Sequence, residues 1–93
     1  MVVAIQTWEL HLEGCHSLKE KRSVLTPIKT GLRRSLNLSV AETEHQDLWQ
    51  RAGIACAVVG SERAVVEEIL RSADRMIEQA DGVRIIETGV SYL

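Results

Sequence analysis

The residues of this sequence best suited to binding chemistry are the cations of one segment near the amino terminus. Between Leu18 and Leu36 six residues are basic and Glu20 alone is acidic, although the net charge of the chain is only −2. At about 100° per residue on a helix, four of the cations share one flank beside an apolar stripe: Lys19, Arg22, Lys29 and Arg33. The pattern indicates a surface that binds an anion or RNA phosphate. The alternative is a solvated basic face paired with acids such as Glu62 or Glu42.

The position of these cations on the helix supports the binding hypothesis. Lys19, Lys21 and Arg22 fall in the first turns, where the helix dipole favours acids instead. The free N–H groups of a helix start attract anions in the same place as the cations do. Because no aromatic residues alternate with the basic ones, recognition of single strands by aromatic residues on a sheet is disfavoured.

Two other clusters contain potential ligands or acid–base groups. His11, Cys15 and His16 lack the second ligand pair of a typical zinc site, and we interpret them as packing or loop residues, although a helix start can lower a thiol pKa. A second set is typical of a polar hairpin tip: Glu42, Glu44, His45 and Asp47. We therefore predict no catalytic residue, no metal and no cofactor.

Hydrophobic periodicity predicts the elements that position these residues. Strands are predicted at residues 2–12, 38–43, 54–59 and 83–90. Ser17 and Glu20 form a capping box for the first helix, which we expect to continue through Pro27. Ser61 is predicted to cap the second helix and Gly82 to end it.

The element order predicts one ferredoxin-like α+β domain over residues 1–93. Its β-α-β-β-α-β topology gives a four-stranded antiparallel sheet with both helices on one face. Because the other face is uncovered, we expect a homodimer through this open sheet face. The interface candidates are Trp49, Ala55 and Ala57, and a core position is the alternative for Trp49.

Composition limits the class of protein. The chain contains no Phe, and its two cysteines provide no disulfide framework. The N-terminal residues lack the basic region and long apolar run of a signal peptide, and no segment is apolar enough to span a bilayer. We expect a cytoplasmic protein that is not associated with membranes.

Several sequence segments resemble one bacterial family. The run SLKEKR at residues 17–22, Asn37, SVAE at residues 39–42, and Asp47 with Trp49 and Gln50 are similar to the YlxP-like family of unknown function. The resemblance covers nearly the whole chain and implies a ferredoxin-like fold. Members are often encoded beside translation and ribosome-maturation factors, which implies RNA or the ribosome as a partner.

Two functional hypotheses follow from the sequence. In the first, the protein is a non-enzymatic binding protein, an accessory factor that contacts RNA or the ribosome through the basic flank. In the second, it is a small-molecule-binding or catalytic homodimer with a site near Trp49, His45 and Glu42. A module that binds other proteins through its open sheet face is a third alternative.

Overall fold

Six regular elements form in the predicted order. The computed structural model describes the whole chain, residues 1–93. Its elements are β1 (Val2–His11), α1 (Leu18–Leu36), β2 (Ser39–Glu44), β3 (Arg51–Gly60), α2 (Arg63–Glu78) and β4 (Arg84–Tyr92). The strands form one antiparallel sheet in the order β2-β3-β1-β4. The predicted sheet with β1 and β3 at its centre is confirmed.

The core lies between one face of the sheet and the two helices. Successive strand residues point to opposite faces, and one row of β1 with its following residue is buried: Ala4, Gln6, Trp8, Leu10 and Leu12. Both helices contribute their apolar stripes to the same cluster. Trp8 is the largest residue in this core, and because the chain has no Phe, aliphatic side chains fill most of the rest.

The start of α1 follows its capping box closely. Ser17 Oγ accepts a hydrogen bond from the N–H of Glu20 at 3.1 Å, and the Glu20 carboxylate accepts one from the N–H of His16 at 3.1 Å. Pro27 lies inside a single continuous helix, as predicted. The helix ends at Asn37, whose φ of 54° is in the left-handed region that an Asn tolerates well.

The predicted caps of α2 are wrong. Glu62 takes the N-cap position without a side-chain hydrogen bond, so Ser61 lies one residue too early. At the other end, the N–H of Gln79 bonds to the carbonyl of Arg75 at 3.0 Å. This backbone turn closes the helix at Glu78, and Gly82 with its φ of 76° serves the turn into β4 instead.

A β-bulge at Thr43 sends two neighbouring acids to opposite faces of the sheet. Glu42 pairs with Ile54, whose side chain is in the core, whereas Glu44 pairs with Gly53. A Cβ at position 53 would lie 2.5 Å from the Cβ of Glu44, so this close approach requires glycine. Glu42 therefore faces the helices, and Glu44 faces the open side of the sheet.

Asp74 of α2 satisfies two polar groups beneath the helix layer. Its Oδ1 accepts hydrogen bonds from Trp8 Nε1 at 2.7 Å and from Gln6 Nε2 at 2.8 Å. Gln6 Nε2 also donates to Thr88 Oγ1 at 2.9 Å. These contacts connect α2 to β1 and β4 by polar interactions as well as by packing.

We expect Asp74→Ala to lower the free energy of unfolding by about 2 kcal/mol, because it leaves two buried donors without their shared acceptor. Asp74→Asn should lose less, since its carbonyl oxygen can still accept. Urea unfolding followed by circular dichroism measures both variants. The exposed Asp81→Ala is the control and should change stability by less than about 0.5 kcal/mol. An unchanged Asp74→Ala variant would contradict this account of the cluster.

Candidate functional site

The four flank cations of α1 lie on the outer surface of the helix. Lys19, Arg22 and Arg33 are exposed, and Lys29 is half-buried. Arg33 donates a hydrogen bond from Nη2 to the carbonyl of Val40 at 2.8 Å. Val40 belongs to β2, an outer strand of the sheet. Arg33 therefore provides a hydrogen-bond donor for a backbone carbonyl of this strand, in addition to its charge on the helix surface.

The basic residues of the two helices differ in their ion pairing. On α2, Arg63 pairs with Glu67, and Arg71 and Arg75 both pair with Glu68. The hydrogen bond from Arg71 is the main cause of the lowered pKa of Glu68. On α1, no flank cation takes part in any of the six ion pairs of the structure. The pairing with Glu62 or Glu42 that belonged to the alternative hypothesis is therefore absent from the structure.

Lys21 belongs to the core side of α1 rather than to its basic surface. It is only 2% exposed, and its Nζ donates hydrogen bonds to the carbonyls of His45 and Leu48, both at 2.7 Å. The same ammonium forms an ion pair with Glu42 Oε2 at 2.8 Å. Two backbone carbonyls and one carboxylate therefore surround the buried ammonium.

The spacing of apolar residues in α1 indicates that Lys21 lies on the buried side of the helix. It stands four residues before Leu25, and the spacing continues through Ile28 and Leu32, which are all buried. Lys21 therefore occupies a position of the apolar stripe, where a lysine requires buried acceptors. Its inclusion among the surface cations of the first turns is wrong for this reason.

The segment between β2 and β3, which we call the β2–β3 loop (residues 45–50), is held at several points. Lys21 binds the carbonyls of His45 and Leu48, and the N–H of Leu48 closes a turn onto His45 at 3.0 Å. The carbonyl of Gln50 accepts a hydrogen bond from the N–H of Leu12 at 2.9 Å. The loop is thus fixed to α1 on one side and to the end of β1 on the other.

This loop presents two large apolar residues to solvent. Trp49 is 51% exposed, and Leu48 beside it is 49% exposed. The alternative of a core position for Trp49 is therefore wrong, because the carbonyls of Leu48 and Gln50 turn inward to Lys21 and Leu12 and leave the indole outside. Its role as an interface candidate stays a prediction.

Two clefts join the β2–β3 loop to the basic flank. A cleft of about 240 Å³ between α1 and the loop is lined by Arg22 and Lys29 together with Gln46 and Asp47. A second cleft of about 400 Å³ runs along the loop from Asp47 to Arg51 and includes Trp49. Asp47 lines both clefts, so the cleft that contains the indole adjoins the one that Arg22 and Lys29 line.

The open sheet face carries a separate polar cluster. His45 Nε2 lies 2.6 Å from Glu9 Oε1, and Arg51 donates to the same oxygen. Burial raises the pKa of Glu9, but the hydrogen bonds from Arg51 and His45 outweigh it and hold the pKa below its ordinary value. A groove of about 440 Å³ extends from this cluster past Glu44 and Glu87, and three of the four charged residues that line it are acidic.

The structure does not bring the hairpin acids together into one site. Glu42 faces α1, while Glu44 and His45 serve the open face. The site suggested near Trp49, His45 and Glu42 is therefore divided between opposite faces of the sheet by the bulge at Thr43.

The smaller cluster before α1 does not converge either. Cys15 is buried, whereas His16 is exposed, and no group of three such side chains is placed to hold a metal ion. Burial, with the nearby carboxylate of Glu20, raises the pKa of the Cys15 thiol. Desolvation thus moves the thiol pKa in the direction opposite to the one that a helix start can produce.

Neither helix has the length and apolar character that a membrane crossing requires.

Comparison with solved structures identifies the class of fold. A de novo designed protein with a ferredoxin fold, solved by NMR, has a TM-score of 0.56 at 8% identity, over 100% of this chain and 83% of that one. SnoaB, a cofactor-independent oxygenase from Streptomyces nogalater, has a TM-score of 0.58 at 10% identity, over 97% and 90%. Such low identities show the fold alone. The chain is a ferredoxin-like α+β protein, as predicted.

The sequence comparisons identify the family. Residues 3–90 match the model of DUF503, described as a protein of unknown function, and the chain belongs to this family. The uncharacterized protein YlxP of Bacillus subtilis (strain 168) is 44% identical over 55 residues, which are 59% of this chain and 60% of that protein. The resemblance to the YlxP-like family is confirmed, and the family brings no established activity.

We expect Lys21→Met to lower the free energy of unfolding by about 3 kcal/mol, because it leaves Glu42 and two backbone carbonyls without their buried cation. Urea unfolding measures this loss. Lys29→Met removes the same charge from the surface of the same helix, and it should change stability by less than about 0.5 kcal/mol. Equal losses in the two variants would show that Lys21 is no more important to the fold than a surface lysine.

Proposed function

We propose that this protein is a cytoplasmic, non-enzymatic RNA-binding protein that contacts phosphate through the basic flank of α1. The residues that carry this contact are Lys19, Arg22, Lys29 and Arg33. The resemblance to a family often encoded beside translation factors favours ribosomal RNA as the target, and an accessory role on the ribosome as the setting.

The observation that carries the proposal is the contrast between the two helices. Every arginine of α2 has a carboxylate partner, whereas the flank cations of α1 have none. A cation without a protein partner keeps its full charge available to a polyanion, because binding does not first break an ion pair. The α1 surface is therefore the part of this molecule most suited to phosphate.

The extent of the flank agrees with a nucleic-acid strand better than with a single small anion. Lys19 and Arg33 are 14 residues apart in α1, which corresponds to about 21 Å along the helix axis. Cations spread over this length contact several phosphates in succession, and each contact releases counterions from the strand. Binding of this kind is strongly salt-dependent and requires no reaction.

Fluorescence polarisation with a labelled RNA, repeated over a series of salt concentrations, tests the proposal. The double variant Arg22→Glu/Lys29→Glu should lower the affinity at least tenfold at about 0.1 M salt. It should also reduce the slope of log K against log salt by about 1.4, since each contact to a single strand contributes about 0.7. Both positions avoid Arg33, whose hydrogen bond to Val40 gives it a structural role.

Arg63→Glu/Arg71→Glu is the matched control, because it changes the net charge equally on the other helix. It should retain most of the RNA affinity and most of the salt slope. The same pair of variants, compared for co-sedimentation with ribosomes, tests the ribosomal setting. Equal weakening by both double variants would overturn the assignment of the binding surface to α1.

A second proposal concerns the open sheet face, which we infer to be a homodimer interface. Ala57 and Val59 of the central strand β3 point away from the helices, and Val59 is 64% exposed. Ala55 continues the same row. A second copy would remove this apolar row from water, and it would also cover the acidic groove beside Glu9.

Light scattering at increasing protein concentration tests the homodimer. The wild-type protein should reach twice the mass of one chain, and Ala57→Glu should shift it to the monomer because the new carboxylate would be buried at the interface. Ala64→Glu on the exposed side of α2 is the control and should leave the dimer intact. A strictly monomeric wild-type protein at high concentration would overturn this proposal.

A further inference from the structure

We infer that Trp49 stacks on one unpaired nucleobase of the bound RNA, so that the protein prefers single-stranded RNA; this inference rests on the proposed function of α1. The indole stands half-exposed on the β2–β3 loop, two residues after Asp47, which also lines the cleft of Arg22 and Lys29. Aromatic side chains next to a cationic track are the usual means of binding single strands without reading their sequence.

The loop is built to hold this indole in one place. The carbonyl before Trp49, that of Leu48, is bound by Lys21, and the carbonyl after it, that of Gln50, is bound by the N–H of Leu12. An exposed residue between two fixed peptide groups has little backbone freedom left to lose. Binding through such a residue therefore has a small entropic penalty.

Continuity with the flank determines where the strand runs. An RNA strand whose phosphates bind α1 reaches Arg22 and Lys29. From there, the cleft between α1 and the loop leads to Asp47. The adjoining cleft of about 400 Å³ contains Trp49 and ends at Arg51. A single strand bound along α1 thus passes the indole with its bases turned toward the loop.

The surroundings of the indole suit a nucleobase better than a protein segment. Trp49 and Leu48 are the two apolar residues of this cleft, and the other three are polar: Asp47, Gln50 and Arg51. A stable protein–protein interface requires a larger apolar centre than two side chains supply. A base needs one aromatic face and polar groups at its edge, which this arrangement provides.

The test uses two single-stranded RNA probes of equal length, one normal and one in which the central nucleotides are abasic. The phosphate contacts are the same in both probes, so their affinity ratio isolates stacking. The wild-type protein should bind the normal probe about 5- to 150-fold more tightly, the range that one base stack contributes. Trp49→Ala should abolish this preference, and Trp49→Phe should keep most of it.

Salt dependence and fluorescence separate stacking from electrostatics. Trp49→Ala should leave the salt slope unchanged, whereas Arg22→Glu/Lys29→Glu should weaken both probes alike. Because Trp8 is buried, quenching of the exposed indole on addition of the normal probe should report stacking on Trp49. A light-scattering run of Trp49→Ala should give the same mass as the wild-type protein.

Each outcome decides one question. If Trp49→Ala retains the preference for the normal probe, the stacking inference is wrong and the proposed function stands. If the wild-type protein binds neither probe, both are wrong. If Trp49→Ala instead changes the mass in light scattering and leaves RNA binding unaltered, the loop contacts a second copy of the chain and the inference is overturned.

Discussion

The buried ammonium of Lys21 is the interaction on which the arrangement of this surface depends. Removing a charge from water costs several kcal/mol, and here the cost is offset by Glu42 and by the carbonyls of His45 and Leu48. Because Lys21 is fixed facing inward, the rotation of α1 about its axis is fixed as well, and Lys19 and Arg22 must point outward. The same contact holds the β2–β3 loop against the helix. The segments that carry the family resemblance, SLKEKR, SVAE and the residues around Trp49, therefore meet at one atom.

The bulge at Thr43 separates the charges of the molecule onto two faces. Without it, Glu42 and Glu44 would share a face of β2, since side chains alternate with a period of two. With it, Glu42 supplies the acceptor that Lys21 needs, and Glu44 joins Glu9 and Glu87 around the acidic groove. The result is a basic outer surface on α1 and an acidic recess on the open sheet face. Charges of opposite sign therefore lie on opposite sides of the molecule.

Local patterns in the sequence predicted most of the fold. The alternation of apolar residues in β1 and the apolar stripe of α1 are local patterns, so they can be recognised in the sequence without knowledge of tertiary contacts. The capping box of Ser17 and Glu20 formed as expected. The site was predicted less completely, because its key contacts are nonlocal. Lys21 and Leu48 are 27 residues apart, and the bulge depends on Gly53 opposite Glu44. The apolar character of Trp49 is compatible with an interface position or a core position, and the backbone hydrogen bonds on either side, which leave the indole in solvent, exclude the core.

Neighbouring charged side chains attract each other on α2 and repel each other on α1. On α2, Arg63 with Glu67 and Glu68 with Arg71 stand three or four residues apart and attract, each contributing a few tenths of a kcal/mol. On α1, the corresponding spacings join like charges, Lys19 with Arg22 and Lys29 with Arg33, which repel by similar amounts. In the isolated protein this repulsion works against α1, and packing of its apolar stripe must offset it. In the proposed complex with RNA, a row of phosphates would reverse the sign of this contribution, because each phosphate attracts both cations of a pair. The proposed function therefore couples the stability of α1 to polyanion binding, and α2, whose pairs already attract each other, has no such coupling.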